Sequence, residues 1–167
     1  WNSLDPYPNI QLYFNPLTYS VSFKNKRPLL KTDKFNGFII GFNSCRPKSL
    51  GEVNLKKMDN DFVPSIDPRY LSDERDIHDL YSTFDFIRKF SANQNINKII
   101  ESPVNIDPIN SSDEELLDHF KSKSTTIYHP CGTCRMSKSI QEGVVSEKLK
   151  VHGLDNLWIV DASIMPN

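Results

Sequence analysis

Four histidines are the side chains of this chain best suited to moving a proton near neutral pH: His78, His119, His129 and His152. An unperturbed imidazole has a pKa of about 6.5, so much of it is neutral at pH 7 and able to act as a base. Only His129 has Pro130 and Gly132 close by, which predicts an irregular loop able to rest against a ring system. The alternative for His129 is a buried histidine that is hydrogen-bonded to backbone.

The other three histidines fit structural roles better. His78 falls on the polar side of a predicted helix, and His119 lies between apolar residues of a second one. His152 precedes Gly153, a pattern typical of a side chain that fixes a turn by hydrogen bonding.

The three cysteines, Cys45, Cys131 and Cys134, are an odd set, which argues against a dense disulfide framework. The last two form a Cys-x-x-Cys, so a redox role and a zinc role are both open alternatives. Zinc needs a second pair of ligands that the chain does not offer at a suitable spacing, and a redox pair is expected at a helix N-terminus after a strand. A structural role for these thiols, with no metal site, is therefore favoured.

The elements that must position these residues include two amphipathic helices. Ser72 is the predicted N-cap of the first, which runs to about Phe90 with acidic residues in its first turn. Its apolar residues recur at helical spacing: Ile77, Leu80, Tyr81, Phe84 and Ile87. The second helix begins at Ser112, where Glu115 completes a capping box, and it buries Leu116, Leu117 and Phe120.

Apolar runs and alternating patterns predict strands over residues 9–14, 38–42 and 51–56. Residues 15–36 are predicted to be mostly loop, with a short strand at 19–23. Together these strands favour an antiparallel sheet with one face in water. A further buried strand is predicted at residues 157–160, ending at Asp161, and the alternative role for Asp161 is to cap the next helix at Ser163.

Five segments in order resemble the C-terminal part of the glucose–methanol–choline (GMC) family of flavin oxidoreductases, and within it the bacterial alcohol and choline dehydrogenases. They are residues 46–53 (Arg-Pro-Lys-Ser-Leu-Gly-Glu-Val), 67–73 (Asp-Pro-Arg-Tyr-Leu-Ser-Asp), 128–136 (Tyr-His-Pro-Cys-Gly-Thr-Cys-Arg-Met), 144–153 and 161–166 (Asp-Ala-Ser-Ile-Met-Pro). Two positions depart from the family pattern, since Arg is common where Leu50 stands and Gly where Ser137 stands.

The resemblance implies FAD as cofactor and the oxidation of an alcohol CH–OH group to a carbonyl, by hydride transfer to the flavin N5 with His129 as proton acceptor. It places Asp161 and Ala162 along the flavin, together with His129 and Pro130. It implies a mixed α/β (α+β) architecture. Residues 1–124 would form a substrate-binding domain with an antiparallel sheet and helices, and residues 125–167 the C-terminal return segment of a Rossmann-like FAD-binding domain.

The Gly-x-Gly-x-x-Gly segment that cradles the FAD pyrophosphate occurs nowhere in the sequence. In the family, a second catalytic His or Asn follows shortly after the position of Pro166. We therefore expect this chain to be a fragment without its N-terminal flavin-binding portion, and inactive in isolation. The alternative is a non-catalytic interaction domain that lacks flavin.

The composition is that of an ordinary soluble domain. The 167 residues carry a net charge of −1, so no broad basic surface is available for nucleic acid. No apolar run suggests a transmembrane segment and no export signal is visible, so a cytoplasmic location is expected. The alcohol (choline-like, aliphatic or aromatic) and the electron acceptor (oxygen, a quinone or another carrier) stay open.

Overall fold

The computed structural model describes residues 6–24 and 27–166. Contacts group them into two compact units. The first combines the described residues up to Pro47 with Glu74–Asn110, and the second combines Lys48–Asp73 with the described residues from Ser111 onward. Both contain strands and helices, which confirms the predicted mixed α/β class. Within the described part of the chain, no helix has the length and apolarity needed to cross a membrane.

The first unit is built on an antiparallel strand pair covered by a helix. Strand β1 (Ile10–Asn15) pairs with β4 (Ile39–Ser44), and the register sets Leu12 opposite Phe42. Helix α1 (Glu74–Ala92) packs on this pair, with the Phe84 and Phe42 rings 6.1 Å apart edge to face. A polar link supports the same contact, because the Asn9 side-chain amide donates to Asp79 Oδ1 at 2.8 Å.

The remaining elements of this unit are small. Strands β2 (Tyr19–Lys24) and β3 (Arg27–Thr32) form a second antiparallel pair. The sequence predicted only a short strand at 19–23 and otherwise loop, so β3 was missed. Helix α2 (Gln94–Asn97) follows α1, and the Asn93 side chain caps it by accepting from the Asn95 N–H. Helix α1 itself begins at Glu74, one residue later than the predicted N-cap at Ser72 would place it.

The second unit contains a hairpin and a well-capped helix. Strands β5 (Glu52–Met58) and β6 (Asp61–Asp67) pair around a tight turn. Helix α3 (Asp113–Lys123) begins at the predicted capping box: Ser112 Oγ accepts from the Glu115 N–H, and the Glu115 carboxylate accepts from the Ser112 N–H. Leu116 and Leu117 are buried, as their helical positions predicted, whereas Phe120, also predicted to be buried, is half-buried.

One face of the β5–β6 hairpin is apolar and faces solvent. Paired residues of an antiparallel ladder point to the same side, so Val53 with Ile66 and Leu55 with Pro64 share a face. Phe62 continues this face. The apolar side chains of this face other than Pro64 are each at least half exposed.

Two strand predictions need correction. The expected single sheet is three separate two-stranded sheets among the described residues, because β4 pairs with β1 while β5 pairs with its neighbour β6. Residues 157–160 form no strand. Only Trp158 makes a bridge, to Lys150, and Leu157, Trp158 and Val160 are exposed. A buried strand needs neighbours on both sides, and the described residues supply one isolated bridge.

The α1 core gives the first testable prediction. Phe84 is 4% exposed whereas Phe86, on the same helix, is 47% exposed. Phe84→Ala should lower the free energy of unfolding by about 3–5 kcal/mol, because it removes a buried ring and leaves a cavity. Phe86→Ala is the matched control and should cost less than about 1 kcal/mol. Urea denaturation followed by circular dichroism measures both, and equal losses would contradict this packing.

Candidate functional site

Two of the segments singled out in the sequence lie side by side. The Cys134 N–H donates to the Ser163 carbonyl oxygen at 3.0 Å, and the Met136 N–H donates to the Ile164 carbonyl oxygen at 2.8 Å. These bonds join the loop of residues 128–136, here called the His129 loop, to the turn of residues 161–166, here called the Asp161 turn. The structure thus brings together residues that are about thirty positions apart in sequence.

A small buried support lies behind these segments. Val145 is fully buried and makes bridges to Met136 on one side and Val151 on the other. Ile164, within the Asp161 turn, is also buried. Ile164 therefore helps to hold the backbone of these two segments in place, whereas other side chains of the His129 loop and the Asp161 turn are exposed to solvent.

His129 faces outward. Its side chain is exposed, and its ring Nδ1 contacts the carbonyl oxygen of Ile127, two residues earlier. Tyr128, between them, has a positive φ of 61°. The backbone contact expected for a structural histidine is present, but the burial expected with it is not. Pro130 is exposed next to His129, and Gly132 has a φ of 86°, a conformation that favours glycine.

Asp161 caps a short 3-10 turn, Ala162–Ile164. Its Oδ1 accepts from the Ser163 N–H at 2.8 Å. Hydrogen bonds from the Ser163 side chain and backbone lower the pKa of Asp161 below its ordinary value, so the carboxylate is charged at neutral pH. Asp161 was predicted to end a strand or to cap a following helix, and the cap is what the structure shows. Asp161 and Ala162 are both exposed.

The remaining polar residues of this region hold the fold. His152 Nε2 lies 3.2 Å from the Ser137 carbonyl oxygen, in agreement with the turn-fixing role predicted for it. Arg135 Nε donates to the Glu142 carbonyl oxygen at 2.6 Å, so this cation fixes its own loop.

His119 on α3 is half-buried, and that burial, with Lys123 nearby, lowers its pKa. Among the described residues no group of His, Cys, Asp and Glu has the arrangement of a metal site.

A comparison with protein families decides which one this site belongs to. The family model described as GMC oxidoreductase matches residues 47–167, well over half of the sequence. The chain belongs to the GMC oxidoreductase family. The family resemblance inferred from five short segments is thereby confirmed. The members of this family are FAD-dependent.

Two curated relatives show how much of such a protein the chain represents. An alcohol dehydrogenase (acceptor) from Pseudomonas putida is 36% identical over 160 residues, which is 96% of this chain and 28% of the relative. An oxygen-dependent choline dehydrogenase from Chromohalobacter salexigens is 31% identical over 162 residues, 97% of this chain and 28% of the relative. The chain thus spans little more than a quarter of the length of either.

Solved structures of the family share this fold. Pyridoxine 4-oxidase from Mesorbium loti superposes with a TM-score of 0.68 at 28% identity, over 96% of this chain and 30% of that one. A formate oxidase variant from Aspergillus oryzae, in which FAD modification was studied, gives a TM-score of 0.69 at 31% identity, over 81% of this chain and 24% of that one. A GMC fold is therefore shown by structure as well as by sequence.

The exposure of four residues bears on the FAD site that the family resemblance implies. The four residues expected to face the cofactor, His129, Pro130, Asp161 and Ala162, are all exposed, whereas Ile164 behind them is buried. The Asp161 carboxylate is negative and already accepts from Ser163, so it adds no attraction for a pyrophosphate. Any contact of the Asp161 turn with the phosphates would have to use backbone N–H groups, with Asp161 shaping the turn.

The Asp161 cap should respond to acid. A lowered carboxylate pKa means that the folded state is stabilised above the unfolded value and that this stabilisation is lost as pH falls through the lowered pKa. The Ser163 amide proton shift should therefore be constant at neutral pH and move below about pH 4. Amide NMR during an acid titration measures this. Asp161→Asn keeps an acceptor and should abolish the titration, whereas an unchanged titration in that variant would assign it to another group.

Proposed function

We propose that this chain is the C-terminal part of an FAD-dependent enzyme that oxidises the CH–OH group of an alcohol to a carbonyl, with His129 as the proton acceptor. Membership of the GMC family and relatives named as alcohol and choline dehydrogenases support the reaction class. The observation that carries the proposal is the pair of backbone hydrogen bonds that sets the exposed His129 loop against the Asp161 turn.

The reaction must remove two hydrogens from the alcohol in different forms. A hydride leaves the carbon and a proton leaves the oxygen, and the two electrons go with the hydride. FAD, when bound, supplies the hydride acceptor at its N5. His129 accepts the hydroxyl proton on a neutral ring nitrogen, which increases negative charge on the oxygen as the hydride departs. The exposed ring then returns the proton to solvent.

The proposal divides the chain as the sequence suggested. Residues 1–124 would bind substrate, and residues 125–167 would complete the flavin domain. His129 and Pro130 would lie against the flavin ring, and Asp161 and Ala162 along the rest of the cofactor. The outward orientation of these four residues supports this assignment.

The isolated chain should not retain flavin. The Gly-rich turn and helix N-terminus that bind the FAD pyrophosphate are not encoded in these residues, and Asp161 brings no positive charge in their place. The chain is mixed with excess FAD and passed over a desalting column. Its absorbance at about 450 nm should then be far below that of a sample with one FAD per chain. A stoichiometric yellow product would contradict the proposed division of the cofactor site.

His129→Ala should lower the rate of flavin reduction by roughly 10²–10⁴-fold in a flavin-bearing enzyme that contains this chain, while FAD stays bound. His129→Asn should lose less than Ala, because its amide can still accept a hydrogen bond from the alcohol. Anaerobic stopped-flow mixing with the best alcohol measures the reduction step. His78→Ala is the control, since His78 is exposed on α1 and has no assigned role in the reaction.

Two outcomes would overturn this proposal. Reduction of the His129→Ala enzyme at the wild-type rate would assign proton removal to another residue. A gene whose flanking sequence encodes no Gly-x-Gly-x-x-Gly segment would favour the alternative of a non-catalytic interaction domain, since no Rossmann cofactor site would then be present.

A further inference from the structure

Tyr128 has a backbone conformation that its side chain does not favour. Its φ is 61°, in the left-handed region that bulky residues rarely adopt. Burial does not hold it there, because Tyr128 is 75% exposed. A local hydrogen bond does contribute, since the Tyr128 N–H donates to Thr126 Oγ1 at 3.1 Å. Unfavourable backbone conformations cluster at functional sites, and this one lies next to the proposed catalytic residue. It therefore motivates a search for its role in the site.

This conformation accompanies a bend of the chain at Tyr128, between Ile127 and His129. The bend returns the imidazole toward the preceding backbone, so that His129 Nδ1 contacts the Ile127 carbonyl oxygen. A carbonyl oxygen accepts hydrogen bonds and cannot donate them. The proton of the neutral ring must therefore be on Nδ1.

Fixing the proton on Nδ1 decides which nitrogen is the base. In a neutral imidazole one nitrogen donates and the other accepts, so an Nδ1–H ring has its lone pair on Nε2. The opposite tautomer would direct a lone pair at the Ile127 carbonyl oxygen, and the two would repel each other. The Ile127 carbonyl thus orients the ring and selects its tautomer. In other proteins, too, the hydrogen bond made by one ring nitrogen of a histidine sets the protonation of the other.

We propose that Tyr128 is a positioning residue whose left-handed backbone places His129 Nδ1–H on the Ile127 carbonyl and leaves Nε2 as the atom that takes the substrate proton. The catalytic meaning of this inference rests on the proposed function, whereas the assignment of the tautomer does not depend on it. The Tyr128 side chain has no part in it, so the backbone conformation alone is required.

His152 provides an internal contrast. Its Nε2 lies 3.2 Å from the Ser137 carbonyl oxygen, so the same reasoning puts its proton on Nε2. Its ring contact with Ser137 Oγ at 3.4 Å is compatible with this, because a hydroxyl can also accept. His129 and His152 are therefore assigned opposite tautomers, and one experiment can read both.

The test is long-range ¹H–¹⁵N NMR on the full chain labelled with ¹⁵N-histidine, at about pH 8.5, where an imidazole of ordinary pKa, about 6.5, is neutral. His129 should give a pyrrole-type signal for Nδ1 and a pyridine-type signal for Nε2. His152 should give the reverse. An Nε2–H signal at His129, or averaging between the tautomers, would overturn the inference.

Three variants test the role of Tyr128. Tyr128→Gly adopts a positive φ freely and should keep the Nδ1–H tautomer. Tyr128→Val resists that φ because it is β-branched, and should shift His129 toward averaged tautomers. Asn156→Val is the matched control, since Asn156 is exposed with a φ of 60° and should leave His129 unchanged. An unchanged His152 pattern in each variant confirms that the unit is folded. An unchanged His129 pattern in the folded Tyr128→Val variant would refute the positioning role.

The same variants in the flavin-bearing enzyme separate this inference from the proposed function. Tyr128→Val should slow flavin reduction, and Tyr128→Gly should restore most of the rate. If His129→Ala abolishes reduction while His129 proves to be Nε2–H, the positioning role fails and the proposed function stands. If His129 is Nδ1–H but His129→Ala reduces flavin normally, the tautomer assignment stands and its catalytic meaning fails.

Discussion

Two backbone hydrogen bonds, from Cys134 to Ser163 and from Met136 to Ile164, are the constraint on which the candidate site depends. They connect segments that have no regular strand or long helix of their own, so side-chain packing alone would fix their positions poorly. Buried Val145 and Ile164 exclude water from behind the segments and so strengthen these bonds. The exposed residues of the site are thus held in place by turns whose backbone is anchored by two buried residues, Val145 and Ile164.

This construction explains why so many residues of the region have special backbone conformations. Tyr128, Leu149 and Asn156 have positive φ values, as do Gly132 and Gly153. Tyr128, Leu149 and Asn156 lie at bends and Gly153 lies in a turn, so the chain changes direction there within a few residues.

Local signals in the sequence predicted local structure well. The Ser112 capping box needs only four neighbouring residues, and the structure reproduces it. Alternation predicted β5 for the same reason. Strand pairing was beyond reach, because alternation states which side chains share a face but not which strand lies alongside. Residues 157–160 were misassigned because an apolar run predicts burial whether or not this chain supplies the covering residues.

In the candidate site, too, some features were predictable from the sequence and others were not. Side-chain chemistry and family resemblance singled out His129 and Asp161, and the cap at Asp161 had been weighed as an alternative. The left-handed Tyr128 had no signal, since tyrosine adopts that conformation too rarely for its presence to predict it. A backbone contact of His129 was part of the structural alternative, but its partner, the Ile127 carbonyl, depends on that conformation and could not be predicted.

The β5–β6 hairpin has a practical consequence for handling the protein. Among the described residues, β5 and β6 pair only with each other, which leaves both outer edges open to further pairing, and one face of the hairpin is apolar as well. Lys56 and Lys57 repel a second copy, but they lie on opposite faces and only one borders the apolar residues. The yield of soluble chain should therefore depend on concentration during refolding, with dilution rescuing material that concentrated samples lose to strand-to-strand assembly.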